Sequence, residues 1–211
     1  MVLDYIASLS LGYLIGSFPT AYFLVKKRSQ IDIRIAGSGN VGARNAYEVT
    51  RSRSLGLIIL TCDLLKGAVA VIICYLLCGK EFWIAGVSGA GAVIGHNYPV
   101  WLNFRGGRGL ATTAGAMILL CWVYVPVWLI VYGTVRIFTK DVHFSSIVAS
   151  VTAPFITAVL PEPLTGAGLL FDQKPGGPFI ICMIFSLVIL SAHTKEIAGY
   201  LRSNNSESNS K

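Results

Sequence analysis

The stretch 54–78 reads SLGLIILTCDLLKGAVAVIICYLLC, and it decides the fold class. Its only charges are Asp63 and Lys66. A helix rises 1.5 Å per residue, so the run reaches about 36 Å and exceeds a bilayer's hydrocarbon core of about 30 Å. A charge at the bilayer centre costs about 2.5–3.5 kcal/mol on insertion scales. Asp63 and Lys66 stand three apart on one helical face, where they can pair.

Outward from this run lie six further apolar segments, at roughly 5–25, 82–96, 109–121, 123–138, 144–160 and 178–193. The first is long enough to span alone. The shorter ones read as spans that can be broken or partly re-entrant, which is tolerated where protein or an aqueous cavity covers the backbone. Composition agrees: of 211 residues, 54% are hydrophobic and only 13% charged. Soluble domains carry about 25% charged residues, so a water-soluble fold and a disordered chain are both excluded. The expectation is an all-α, polytopic membrane helical bundle of about seven transmembrane helices. It forms a single domain over 1–202, with a disordered polar tail over 203–211.

The net charge of +7 comes from 17 Lys and Arg against 10 Asp and Glu. The basic residues fall in short loops between apolar runs, with no basic stripe interleaved with aromatics, so nucleic acid is not expected as a partner. With the N-terminus outside, the inner loops are 26–53, 97–108, 139–143 and the tail. With Arg136 at a helix end they hold 14 of the 17 cations, and the outer loops hold Lys80 and Lys174. That bias puts the C-terminus in the cytoplasm. Asp4 precedes the first apolar run and Lys26-Lys27-Arg28 follows it, the reverse of a cleavable signal. The outer loop 161–177 is rich in Pro and Gly and carries no reactive cluster. The five cysteines all lie in apolar stretches and read as buried thiols, and no His, Cys or carboxylate cluster has metal-ligand spacing. No metal and no cofactor is expected.

Two inner loops carry the chemistry. The first holds Gly37-Ser38-Gly39-Asn40-Val41-Gly42-Ala43-Arg44-Asn45. Its glycines let backbone amides converge, as in anion cradles ahead of a helix that Asn45 is placed to open. It is neither a P-loop nor a dinucleotide fingerprint. The second runs from Gly95-His96 to Arg105-Gly106-Gly107-Arg108-Gly109 at the head of an apolar run. Two guanidiniums three residues apart can grip phosphate oxygens, and the next helix points its N-terminus at the same anion. Flexible polar turns with positive-inside anchors are the plainer reading of both loops.

These residues resemble the bacterial acyl-phosphate:glycerol-3-phosphate acyltransferase family of small integral membrane enzymes. The first loop is similar to Gly-Ser-Gly-Asn-x-Gly-Ala-Thr-Asn-x-x-Arg, and the second to Gly-His-x-x-Pro-x-x-x-x-Phe-Lys-Gly-Gly-Lys-Gly. Gly16-Ser17-Phe18-Pro19, Ile31-Asp32-Ile33-Arg34, Asp63-Leu64-Leu65-Lys66-Gly67, Thr139–Ser146 and Ala192–Ile197 extend the likeness along nearly the whole chain. The departures are polar: Arg44 for Thr, Glu48 for Arg, Arg108 for Lys, His143 for Ser and Glu196 for Asn. Arg44 and Glu48 are four apart and can pair on a helix beginning near Ala43.

The resemblance implies acyl phosphate and glycerol 3-phosphate as substrates, lysophosphatidate and phosphate as products, and a place in phospholipid biosynthesis at the bacterial inner membrane. It implies catalytic roles for Ser38, Arg108 and His193. Substrate binding falls to Gly37, Gly39, Asn40, Gly42, Arg44, Asn45, His96, Arg105, Gly106, Gly107, Gly109 and Ser146. His96 has an alternative role in fixing the turn before Pro99. An acyl phosphate is already activated, so alignment and charge stabilisation are the main needs. Two alternatives stay open: the same chemistry on another phosphorylated acceptor, and a small membrane anion transporter.

Overall fold

The computed structural model describes residues 2–161, Leu164 and 176–208, the last six of them by backbone alone. Among the described residues the protein is all-helical. The helices are α1 (Val2–Ser17), α2 (Thr20–Ser29), α3 (Ala43–Thr50), α4 (Arg53–Leu77), α5 (Phe82–Asn97), α6 (Leu110–Leu120), α7 (Tyr124–Thr139), α8 (Val142–Ala158), α9 (Gly177–Ser191) and α10 (Thr194–Ser208). All seven expected apolar runs therefore appear as helices. By length and apolarity alone, Val2–Ser29 and Arg53–Leu77 can each cross a membrane, while α6, α7 and α8 are shorter apolar helices.

Three differences from the sequence expectation matter. The first run is interrupted at Phe18-Pro19 and continues as α2 through Lys26-Lys27-Arg28. Proline lacks an amide hydrogen and restricts the residue before it, so the helix restarts there. The chain bends by 70° after α9, and α10 continues to Ser208, so 203–208 are helical where a disordered tail was expected. Residues 209–211 and most of the Pro- and Gly-rich loop 161–177 lie outside the described residues.

Small residues bring the central helices together. A Cβ on Gly12 or Gly16 of α1 would strike the carbonyl oxygens of Ser88 and Ala92 on α5. Conversely, a Cβ on Gly91 or Gly95 would strike those of Leu9 and Tyr13. Gly67 of α4 and Gly115 of α6 make the same close approach to Thr112 and Leu64. Lipid tails are as apolar as leucine, so such backbone proximity and interhelical hydrogen bonds hold membrane helices together. Ser8 donates to the carbonyl of Ile84 and Ser88 to that of Ala70, each at 2.7 Å. Val71, Val93, Met117, Leu120, Ile181 and Phe185 fill the centre. Leu57, Leu76, Ile130, Phe138 and Leu187 face outward, an apolar periphery that a lipid environment covers at no cost. A second small cluster, including Val25, Ile33, Val41, Ala46 and Ile59, seats the first loop against α2, α3 and α4.

Candidate active site

The two glycine-containing loops meet directly. The amide of Val41 donates to the carbonyl of Gly106 at 3.1 Å, which brings the two loops within reach of one small ligand. Both loops open onto one cavity of about 190 Å³. Asn40, Gly42, Ala43 and Arg44 line it from the first loop and α3, and Arg108, Gly109, Leu110 and Ala111 from the second loop and α6. Val142, His143 and Ser146 of α8, Leu60 and Asp63 of α4, His96 of α5 and His193 complete the wall.

Three helices thus begin at this cavity. The first turn of a helix has amide hydrogens with no intrahelical partner, and its dipole favours anions. At α3 and α6 the N-caps are Gly42 and Gly109, and neither supplies a side-chain acceptor. Asn45 was expected to open α3, but Gly42 does so and Asn45 lies inside the first turn. α8 is different: Asp141 caps it, accepting from the amides of His143 at 2.8 Å and Phe144 at 3.0 Å.

Asn45 organises the first loop. Its Oδ1 accepts from the Ser38 amide, and its Nδ2 donates to the carbonyls of Ile33, Ala36 and Asn40 at 2.9–3.2 Å. The loop folds tightly around it because Gly37 and Gly39 adopt φ of 59° and 72°, a region that glycine enters without a Cβ penalty. Ahead of it, Arg34 grips Asp32 through Nε and Nη2. That hydrogen bonding holds the Asp32 carboxyl down at about 2.

The second loop presses against the end of α5. The amides of Gly106 and Gly107 donate to the carbonyls of Asn97 and His96. A Cβ on Gly107 would lie 2.0 Å from Nε2 of His96. In the first loop the Gly39 amide, expected to help cradle an anion, donates to Ala36 instead, and like the amides of Gly106 and Gly107 it holds its loop in shape. The amides of the α3 and α6 first turns are left open.

The charged groups are mostly paired. Nε of Arg44 lies 2.8 Å from Oε1 of Glu48, the expected i,i+4 pair. Lys66 bonds Asp63 at 2.8 Å, and His96 Nδ1 stands 3.6 Å from the same carboxylate oxygen, below the cavity. Nη2 of Arg108 lies 2.5 Å from Oε1 of Glu196. The Glu196 carboxyl titrates below the ordinary glutamate value. Burial is the largest influence and works upward, but its own backbone amide and Arg108 outweigh it. His193 is fully buried, and Nε2 has no hydrogen-bond partner among the described residues. Its ring lies 6.4 Å from that of His143. Ser146 donates to the carbonyl of Val142 at 2.8 Å.

Of the residues singled out in the sequence, Asn40, Gly42, Arg44, His96, Arg108, Gly109, Ser146 and His193 share the cavity. Asn45, Gly37, Gly39, Gly106 and Gly107 build the loops behind it. Ser38 and Arg105 are exposed on those loops and do not line the cavity. Asp63 and His143 do line it, although the sequence suggested structural pairing for the first and no role for the second. An apolar groove of about 360 Å³, lined in part by Leu64, Ala114, Ile118, Tyr124 and Trp128, shares Leu60, Leu110 and Ala111 with the polar cavity.

Comparison with known proteins agrees with this fold. The glycerol-3-phosphate acyltransferase family model matches residues 6–203. A glycerol-3-phosphate acyltransferase of Synechococcus sp. (strain JA-3-3Ab) is 39% identical over 173 residues, covering 81% of each chain. That of Geotalea daltonii is 39% identical over 186 residues, covering 88% of each. The crystal structure of PlsY (YgiH), an integral membrane glycerol 3-phosphate acyltransferase, superposes with a TM-score of 0.74. The identity is 25%, and the match covers 94% of this chain and 92% of that one. With a family match from near one end of the chain to near the other and a shared fold, the protein belongs to the glycerol-3-phosphate acyltransferase family.

Proposed function

We propose that the protein transfers a fatty acyl group from acyl phosphate to the 1-hydroxyl of glycerol 3-phosphate, giving lysophosphatidate and phosphate. The observation that carries this reading is the junction of the two cavities. A polar chamber with two open helix N-termini and two guanidiniums lies against an apolar groove, the two sharing Leu60, Leu110 and Ala111 as lining. An acyl phosphate has that form, an anionic head on an apolar tail. The PlsY relative is a glycerol 3-phosphate acyltransferase described in a glycerol 3-phosphate form, and that acceptor is carried over here.

In this scheme the acceptor oxygen attacks the acyl carbon, the bond from that carbon to the phosphate oxygen breaks, and the hydroxyl proton leaves with the phosphate. Arg108 and the α6 N-terminus offset charge on the leaving group, and Arg105 attracts anions from the exposed edge of its loop. Asn40, Arg44 and the α3 N-terminus hold the second phosphate, with Ser146 across the cavity. His193 accepts a hydrogen bond through Nε2, and Ser38, which stands outside the cavity lining, is assigned to the acyl carbonyl or the attacking hydroxyl on the family resemblance alone. Preorganised donors of this kind typically contribute about 100- to 1000-fold each in rate.

The loops at this cavity are those with the cationic excess, which supports an active site on the cytoplasmic face of a bacterial inner membrane, about seven spans and an external N-terminus. Purified protein given palmitoyl phosphate and glycerol 3-phosphate is expected to release phosphate and form lysophosphatidate in equal amounts, read by phosphate assay and mass spectrometry. Phosphate release only with a different acceptor, or none with any acceptor, would refute the reading.

A further inference from the structure

Arg108 faces two ways. It lines the cavity from the second loop, and it is also the residue that the C-terminal helix reaches. Glu196 stands 88 positions further along the chain, and both side chains are about one-fifth exposed, at 19% and 22%. The bond uses one nitrogen of a guanidinium that has five N–H donors, so other hydrogens remain for a second acceptor. Glu196 is also well held. It lies in the first turn of α10, where the helix dipole favours a carboxylate. One turn further on, the Tyr200 hydroxyl donates to Oδ2 of Asp141 at 2.6 Å, fastening α10 to the head of α8.

We propose that Glu196 is a built-in counter-ion that weakens the hold of Arg108 on phosphate and so sets how tightly the site keeps its phosphate ligands. The identity of those ligands rests on the acyl-transfer reading; the Arg108–Glu196 geometry does not. A phosphate arriving at Arg108 either shares the guanidinium with a carboxylate and is repelled by it, or displaces the carboxylate and leaves it part-buried without its cation. Both routes weaken anion binding. The other carboxylate beside a cavity guanidinium, Glu48 on Arg44, belongs to a pair with side chains 41% and 56% exposed, where solvent screens most of its effect. Of the two carboxylates that pair with a cavity guanidinium, Glu196 therefore has the greater leverage over ligand affinity. The consequence for turnover is direct: inorganic phosphate, the product that Arg108 would otherwise retain, leaves more readily.

The test is calorimetric titration of inorganic phosphate into purified, detergent-solubilised protein, run beside inhibition of acyl transfer by inorganic phosphate. Glu196→Gln keeps an oxygen able to accept from Arg108 and removes the charge. Phosphate is expected to bind about tenfold more tightly, with the inhibition constant falling in step. Glu196→Asp keeps the charge and is expected to stay within about twofold of the parent. A residue that only held Arg108 in place would give Glu196→Gln unchanged or weaker phosphate binding, and that result overturns the proposal. If Glu196→Gln is not recovered folded, Glu196→Asn makes the same change of charge with the same expected tightening. Absence of acyl transfer by the parent would refute the functional reading, while the calorimetric comparison would still decide this one.

Discussion

Nδ1 of His193 lies 2.9 Å from the carbonyl oxygen of Ile189. A carbonyl oxygen only accepts, so Nδ1 carries the hydrogen and Nε2 carries the lone pair. The backbone of α9 thereby fixes the tautomer of a ring that lines the cavity. A hydroxyl in the cavity finds an oriented acceptor without any carboxylate dyad behind it. His193→Ala is expected to lower kcat about 100-fold with a smaller change in KM, because an acceptor aligned for the attacking hydroxyl acts mainly in the transition state. Steady-state phosphate release with a matched thermal melt checks it. A rise in KM alone would make His193 a binding residue.

Gly107 has no room for a side chain. Its Cβ would lie 2.0 Å from Nε2 of His96 and 2.9 Å from Cε1, and the His96 ring is buried with Nδ1 3.6 Å from the Asp63 carboxylate. Gly107→Ala is expected to cost about 2 kcal/mol, in the range of overpacked sites, read as a lower unfolding midpoint in detergent. Removing the obstructing ring should relieve it, so Gly107→Ala/His96→Ala is expected to melt above the sum of the two single effects. Additive losses would show that the strain lies elsewhere in the loop.

Much of this arrangement was legible in the sequence because its signals are local. The seven apolar runs follow from composition, and the Arg44–Glu48 pair follows from spacing on one helix. The head of α6 is marked by Gly109 before an apolar run. What could not be read joins distant segments. Nothing in the neighbourhood of Arg108 announces Glu196, 88 positions away, or puts Tyr200 on Asp141. Asp63 reads in sequence as half of a structural ion pair, and it is one. Its second position, on the cavity wall, depends on how α4 packs against α6. The glycines were assigned to an amide cradle because glycine marks both an open amide and a tight approach, and only packing separates the two.

Asn45 holds the first loop by accepting one hydrogen bond at Oδ1 and sharing the two hydrogens of Nδ2 among three carbonyls. Its side chain is buried, so the carbonyls of Ile33, Ala36 and Asn40 lose a shared donor if it is truncated. Asn45→Ala is expected to destabilise by about 3 kcal/mol and to abolish acyl transfer. Asn45→Asp keeps the acceptor for Ser38 but sets a carboxylate oxygen against three carbonyls, and should be worse. Unfolding midpoints in the order parent, Ala, Asp check this; an Asp variant more stable than the Ala variant would contradict the bonding pattern.

The fastening of α10 is bounded in pH at both ends. Burial and the hydrogen bond to Asp141 push the Tyr200 phenol up to about 12. A raised pKa favours the protonated phenol in the folded state. Its stabilisation is complete below the free value of about 10 and is lost as pH rises through about 12. The Asp141 carboxyl is lowered by Tyr200 and by the amides of α8. Its share is present above 3.8 and is lost on acidification below that value. Hydrogen exchange of α10 is expected to quicken toward both extremes, and Tyr200→Phe to remove the alkaline transition. An alkaline transition that survives in Tyr200→Phe would assign it to another group.

The apolar groove gives the last prediction. Ala114 lines it and does not line the polar cavity, unlike Ala111, which lines both. A phenyl ring at position 114 fills space that a long acyl chain would use while leaving the phosphate chamber untouched. Each buried methylene is worth about 0.8 kcal/mol, so losing two of them lowers kcat/KM about tenfold or more. Ala114→Phe is expected to show that loss with palmitoyl phosphate and little loss with a short-chain acyl phosphate, at unchanged KM for glycerol 3-phosphate. Equal losses for both chain lengths would remove the tail from this groove and place it on another lipid-facing surface of the bundle.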